Sequence, residues 1–134
     1  MSKSPQEKWN DGLKVLESVY GPGTASMMKG QENWPMTVEV ISHQFGDVWA
    51  NPSLSIRDKR LMVLGATAML GRADLIEVQV AGAIINGEFT EEQLGFIPLF
   101  LMFYAGAPNC TALLRGIEAA KVRAKALLSA QQNS

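Results

Sequence analysis

Hydrophobic residues recur along the chain at intervals of three and four positions, the spacing that places them on one face of a helix. The first such segment carries an apolar stripe of Trp9, Leu13, Leu16 and Tyr20. A serine, a proline and a glutamate precede it within residues 4–7, which is the signature of a capped helix start. A glycine-proline-glycine turn at residues 21–23 ends the stripe, so the pattern predicts a first helix between these two signals.

Two further helices are predicted by the same signals. Pro35 opens the second, whose apolar positions run through Val48 to a turn at residues 51–53. Ser55 caps the third, and Gly71 ends it. Gly65 and its small neighbours at positions 66 and 68 predict a close backbone approach to another element.

Three more helices complete the chain. Asp74 begins the fourth and Gly87 ends it, and Thr90 with the glutamine three residues later forms a capping box for the fifth. Pro98 should kink the fifth helix, and Pro108 opens a last helix that runs to about residue 130. No strand pattern competes and no linker divides the chain. We therefore predict an all-α fold, a single-domain bundle of about six helices over residues 1–134.

The fourth and fifth predicted helices are apolar nearly all round. In a chain of 134 residues, such helices either form the centre of the bundle or are shared with another subunit. The sequence alone leaves both possibilities open, and we expect a homo-oligomer.

Composition narrows the class of protein. Hydrophobic residues make up 47% of the chain and charged residues 19%, which provides a core and argues against disorder. The net charge of −1 offers no basic footprint for a nucleic acid. The longest apolar run is interrupted by glycine and proline and is too short to span a membrane, and the first residues do not form a signal peptide. The simplest expectation is a cytoplasmic protein without a nucleic-acid or membrane partner.

The sequence contains few residues that could bind a metal ion or form a disulfide. A single cysteine, Cys110, excludes an internal disulfide and any CxxC redox or zinc site. With one histidine, His43, only carboxylates would remain to hold a metal, so we expect neither a metal nor another cofactor.

The order and spacing of several motifs resemble a known family. FGDVW at residues 45–49 is followed by a proline, a leucine-serine pair is followed by two arginines and a leucine, and then come NG at 86–87, TEE at 90–92 and YAG-x-P at 104–108. Together they resemble the carboxymuconolactone decarboxylase family over roughly residues 7–120. The resemblance implies an all-helical fold, a ring-like trimer or hexamer, and cofactor-free decarboxylation of a carboxylated γ-lactone in aromatic catabolism.

This chain departs from the family pattern at the positions that carry chemistry. The family's histidine corresponds to Gln79, eight residues before Gly87. The two cysteines of the alkylhydroperoxidase-like branch correspond to Arg72 and Leu75, so thiol peroxidase chemistry through that motif is excluded. Where the lyase branch tends to carry glutamate and glutamine after TEE, this chain has two phenylalanines, at positions 96 and 100.

Three residues are the candidates for catalysis. Gln79 can orient a substrate by hydrogen bonding but cannot act as a base near neutral pH. His43 is the only side chain with an unperturbed pKa near 6.5, and Tyr104 is a candidate to assist it. Each has a structural alternative: Gln79 bonds a neighbouring element, His43 lies at the surface, and Tyr104 packs in the core.

The candidates for substrate binding are Arg60, Trp49, Asn86, Phe96 and Phe100. Arg60 is suited to clamp a carboxylate, and the aromatic residues to line an apolar pocket. Here too structural alternatives stay open: an ion pair of Arg60 or Arg57 with Asp58 or Asp74, a helix cap at Asn86, and core packing for the rings. Cys110, in the first turn of the last helix, is a candidate reactive thiol or a small buried hydrophobe.

These observations favour a diverged, cofactor-independent lyase or isomerase that acts on a small cyclic or aromatic-derived substrate in an apolar pocket. The alternative is a non-catalytic helical oligomer that binds an apolar ligand or a partner enzyme. A third interpretation is an ordinary carboxymuconolactone decarboxylase with a shifted catalytic set.

Overall fold

Every regular element in the computed structural model is helical over residues 2–133, the range that the structure describes. The α-helices are α1 Pro5–Tyr20, α2 Pro35–Val38, α3 Ile56–Met69, α4 Ala73–Ile85, α5 Glu91–Ala105 and α6 Ala107–Gln132. A 3₁₀ helix spans Thr24–Met28, and a π-helix over Glu39–Trp49 continues α2. The prediction of an all-α fold with about six helices is confirmed.

Local capping chemistry places the helix starts where the sequence predicts them. The hydroxyl of Thr90 accepts a hydrogen bond from the Gln93 backbone N–H at 3.1 Å, and the Gln93 side chain accepts one from the Thr90 N–H at 2.9 Å. Ser4 and Glu7 form the same reciprocal pair at the start of α1. Because such caps satisfy helical N–H groups that lack intrahelical partners, they fix the first turn.

Helix α4 lies at the centre of the molecule. It packs most extensively on α6 and also contacts α1 and α3. Its fully buried side chains include Ile76, Val80 and Ala81, and they join a core with Leu64 of α3 and Leu113 of α6. Of the two helices that are apolar nearly all round, α4 therefore lies at the centre of the bundle, which is one of the two places expected for such a helix.

Helix α5 lies at the surface of the chain instead. Only Leu94 and Pro98 of this helix are buried, and the helix continues through Pro98. Its exposed apolar face is formed by Phe96, Leu99, Phe100, Phe103 and Tyr104. An apolar helix at the surface is available for contact with a neighbouring subunit, which is the other place expected for such a helix.

A second apolar cluster joins α1 to the π-helix. Phe45 and Trp49 stack with ring centroids 6.0 Å apart and an interplanar angle of 7°, and Ile41 lies fully buried beside them. The two backbones approach closely, because a Cβ on Gly12 would lie 1.8 Å from the Ile41 carbonyl oxygen. The sequence predicts one helix here but not its i→i+5 hydrogen bonding, which is rare and often accompanies functional sites.

The predicted close approach at Gly65 is wrong within the described chain. A Cβ at that position would meet no atom within 4 Å. The helical glycines that allow close approaches are Gly12, Gly82 and Gly116, on α1, α4 and α6. Over residues 2–133, no helix combines the length and the apolar character that crossing a bilayer requires.

Candidate functional site

Arg60 is the centre of a buried polar cluster. Its side chain is completely buried, and its guanidinium binds both carboxylate oxygens of Glu88, with Nε to Oε1 at 2.9 Å and Nη2 to Oε2 at 2.7 Å. Its Nη1 donates to the backbone carbonyl of Val19 at 2.7 Å and to Oε1 of Gln79 at 3.2 Å. A buried charge needs such compensation, and here four of the five N–H directions have acceptors.

The position of this guanidinium depends on Gly82 of α4. A Cβ at Gly82 would lie 1.9 Å from the Val19 carbonyl oxygen and 3.0 Å from Nη1 of Arg60. Only a residue without a side chain lets α1, α4 and Arg60 meet at this point. Gly82 was the signal in the sequence for this cluster, and the close approach that it allows was not predicted.

Gln79 connects the ion pair to α1. Its side chain is 6% exposed, and because its Oε1 accepts from Arg60, its amide nitrogen faces the hydroxyl of Tyr20, to which it donates at 3.2 Å. The two contacts fix the orientation of the amide. Gln79 thus offers hydrogen bonds but no titratable proton at neutral pH.

Tyr20 ends α1 and completes the connection. Burial raises the pKa of its hydroxyl, and the nearby positive charge of Arg60 opposes that shift only in part. The ring packs edge-on against Phe45, with centroids 5.4 Å apart. Nothing in the described part of the chain accepts the Tyr20 proton, so this neutral phenol keeps one hydrogen-bond donor available.

Asn86 lies at the edge of the same cluster. Its Nδ2 donates to the Ser18 carbonyl at 2.8 Å and to Oε2 of Glu88 at 2.9 Å. Three residues predicted for the site, Arg60, Gln79 and Asn86, are therefore brought together. The contacts of Glu88 and Tyr20 were not predicted from the sequence. We refer to these five residues as the polar cluster.

The predicted alternative for the two arginines, a surface ion pair with Asp58 or Asp74, is wrong. Arg60 pairs with Glu88 in the interior, and Arg57 donates from Nε to the Glu88 backbone carbonyl at 3.0 Å. Asp74 pairs with Arg72 at 2.7 Å, and this hydrogen-bonded contact lowers the pKa of the exposed Asp74 carboxyl to about 2.

His43 and Tyr104 lie away from the polar cluster. The His43 side chain is 65% exposed, and its Nδ1 is 3.1 Å from Oδ2 of Asp47. Tyr104 is 75% exposed, and the centroid of its ring lies 5.4 Å from the centroid of the Phe100 ring. No contact among residues 2–133 connects either side chain to Gln79, so the three predicted catalytic residues do not form one constellation within this chain.

Phe96 and Phe100 line a groove between α3 and α5, which we call the α3–α5 groove. The cavity has a volume of about 460 Å³, within the range of small-molecule sites. Six apolar side chains form its walls: Leu61, Phe89, Phe96, Ile97, Phe100 and Leu101. Its polar groups are Arg57 and Gln93. The two phenylalanines were predicted from the sequence to line an apolar pocket, but Arg57 was not predicted as its charged member.

Trp49 lines a different cavity. The indole is 7% exposed and borders a space of about 650 Å³ between the end of the π-helix and α3. Lys59 lies there with its ammonium donating to the backbone carbonyls of Trp49 and Asn51, at 2.7 and 2.5 Å. The aromatic residues predicted for one pocket therefore lie in two separate places.

The remaining candidate for chemistry is unsuited to it. Cys110 is buried, and burial raises the pKa of its thiol, which opposes formation of the nucleophilic thiolate. Within residues 2–133 no three histidine, cysteine, aspartate or glutamate side chains gather in a way that would hold a metal ion.

Comparison with known proteins identifies one related family. The model of the carboxymuconolactone decarboxylase family matches residues 40–119, a stretch that contains Arg60, Gln79, Glu88 and the α3–α5 groove. Tyr20 lies outside the matched segment. No curated protein matches the chain.

Proposed function

The chain belongs to the carboxymuconolactone decarboxylase family, and from that premise we propose that it is a diverged, cofactor-independent lyase or isomerase. Its substrate is a small cyclic or aromatic-derived compound. The observation that carries the proposal is the contact of Gln79, at the position of the family's histidine, with the Tyr20 hydroxyl.

Proton transfer in this proposal runs through Tyr20. In a decarboxylation, the bond to the departing carboxylate breaks, CO₂ leaves, and the electron pair stays on carbon. The Tyr20 hydroxyl then donates its proton to that carbon and recovers one from solvent. Gln79 supports the step because its N–H donates to the phenolic oxygen, which becomes negative as the proton departs.

The rest of the polar cluster orients these two groups. Glu88 neutralises Arg60, and Arg60 in turn holds the Gln79 amide with its N–H side towards Tyr20. Both charged groups are engaged internally, which supports a positioning role for them rather than a direct one. His43 remains the alternative acid–base group, with Tyr104 assisting, in an assembly that brings them to a substrate.

Assays on a panel of carboxylated lactones and aromatic-derived acids, with CO₂ release as the readout, test the proposal. Tyr20→Phe should lower kcat by about 10²–10⁴-fold, the usual contribution of a general acid. His43→Ala is the matched variant and should leave kcat unchanged. A loss of activity in His43→Ala alone would move the proton transfer to His43. Absence of CO₂ release from every compound, together with unchanged isomer ratios, would count against the lyase or isomerase.

A specific observation favours a second candidate, a non-catalytic homo-oligomer that binds an apolar ligand or a partner enzyme. The apolar face of α5 is exposed, while His43 and Tyr104 lie apart from Gln79. A trimer or hexamer that covers this face would need no catalytic residue. A stable oligomer without turnover on the same panel is the result that this candidate predicts.

A further inference from the structure

We propose that the α3–α5 groove is a binding site for a small organic anion with a flat apolar body, whose carboxylate binds Arg57. The groove shares no lining residue with the polar cluster, and the inference concerns binding alone. It therefore holds or fails independently of the proposed lyase activity.

Two contacts fix Arg57 at the groove. Its Nε donates to the Glu88 carbonyl at 3.0 Å, and its guanidinium carbon lies 4.9 Å from the centroid of the Phe89 ring. The carbonyl and the ring hold the guanidinium plane in place, and a cation over an aromatic face is itself a favourable contact. The two terminal nitrogens have no hydrogen bond or ion pair within residues 2–133. A planar fork of unused donors is the geometry that binds a carboxylate bidentately.

The walls of the groove suit an apolar, flat ligand. The rings of Phe96 and Phe100 have centroids 6.2 Å apart with an interplanar angle of 29°, and both border the cavity. Gln93 uses its side-chain oxygen in the Thr90 cap, so its amide N–H groups remain as additional donors at the same groove. The lining thus combines apolar surface with a few donors, the usual composition of a ligand site.

Residues 2–133 supply no anion to this guanidinium. No carboxylate lines the groove, and the carboxylate of Glu88 is engaged by Arg60. From Gln93 to Leu114 the sequence has no charged residue, so the apolar part of the α5 face in a second copy, from Phe96 to Tyr104, would bring no carboxylate to Arg57. Charge complementarity therefore favours a small external anion over a second copy as the occupant.

Calorimetric titration of the full-length protein with 2-naphthoate and with its neutral isostere 2-naphthamide tests this site. We expect 2-naphthoate to bind at least about tenfold more tightly, since a hydrogen bond to a charged group is stronger than one to a neutral group. Arg57→Gln should remove this preference, because it should weaken the binding of 2-naphthoate much more than that of 2-naphthamide. Arg72→Gln, which alters an exposed arginine paired with Asp74, is the matched control and should keep the preference.

Two further measurements keep the test decisive if Arg57→Gln does not fold. Added salt should weaken the binding of 2-naphthoate to the unmodified protein but not that of 2-naphthamide. Phe100→Ala should weaken both ligands equally. Equal affinities of the unmodified protein for the two ligands would overturn the proposal. It would also fail if neither ligand bound and Phe100→Ala changed only the oligomer mass, because a second copy would then occupy the groove.

Discussion

Arg57 and Arg60 lie three residues apart on α3 and have different environments. Arg60 shares its helix face with the buried residues Leu64 and Thr67, and that face turns towards α4. Arg57 lies with Leu61 on the side that borders the groove. The spacing to Leu64 was available in the sequence and indicates that Arg60 faces the core. Its partner was not predictable in the same way, because Glu88 is 28 residues away in a loop.

The Arg60–Glu88 pair should be important for stability. Glu88→Gln keeps the shape of the side chain but leaves a buried guanidinium without a countercharge, a change that typically costs about 3–5 kcal/mol. Urea unfolding monitored by circular dichroism measures the loss. Asp74→Asn, which removes the partner of an exposed arginine, should change the midpoint little. Equal effects of the two substitutions would mean that solvent reaches the Arg60–Glu88 pair in solution.

Stability should also depend on the ionisation of Tyr20. Because burial raises its pKa in the folded state above the ordinary value of 10.0, the folded protein holds the phenolic proton more tightly than the unfolded chain does. The resulting stabilisation is fully present below pH 10 and is lost as the pH rises through the folded-state pKa.

Urea midpoints measured at pH 8 and at about pH 10.5 test this dependence. Between these two pH values, the unmodified protein should lose more stability than the Tyr20→Phe variant, which has no phenolic proton at that position. Parallel losses in both proteins would show that the Tyr20 hydroxyl is as solvated in the folded state as in the unfolded one.

At the scale of elements, helix boundaries were predictable and helix contacts were less so. The caps at Ser4 and Thr90 and the stop at Gly71, with φ +63°, depend on residues within one turn, so the sequence displays them directly. The π-helix was not predictable, because its apolar residues Phe45 and Trp49 repeat every four positions, as they also would in an α-helix. Gly12 and Gly82 were missed because their roles depend on which helix lies opposite.

The contact between α1 and the π-helix should depend on Gly12. Gly12→Ala places a methyl group against the Ile41 carbonyl, so the two elements must separate, and we expect a loss of about 3 kcal/mol. Gly65→Ala is the matched change on α3, where a methyl group meets no atom within 4 Å. It should be neutral or stabilise by up to about 1 kcal/mol through helix propensity. Urea unfolding of both variants checks the pair, and a tolerated Gly12→Ala would contradict the close packing described here.

At the scale of the molecule, the distribution of charge separates two kinds of surface. The segment from Gln93 to Leu114 carries no charged residue, although much of α5 is exposed. The polar face of α6, by contrast, carries Lys121, which pairs with Glu91 and Glu118. Large uncharged apolar surfaces are rare on monomeric proteins, so the part of the α5 face outside the groove, at Leu99, Phe103 and Tyr104, is the place where copies of the chain should meet.

Phe103→Asp tests this association. A charge on the α5 face would have to be buried without a partner in an oligomer, so the variant should have the mass of one chain by light scattering. The unmodified protein should have a multiple of that mass. Val122→Asp places the same charge at an exposed apolar position of α6 and should leave the oligomer intact. An unmodified protein that stays monomeric at every concentration would refute the prediction.

The polar cluster determines how the end of α1 can unfold locally. The last carbonyls of a helix lack partners within it, and at the end of α1 those of Ser18 and Val19 accept hydrogen bonds from Asn86 and Arg60. Because these donors belong to other elements, the end of α1 cannot fray without breaking contacts with α3 and the end of α4. Backbone opening at this junction is therefore a cooperative event of three helices, and the amide protons in the last turn of α1 should exchange with solvent as slowly as those in the central helix.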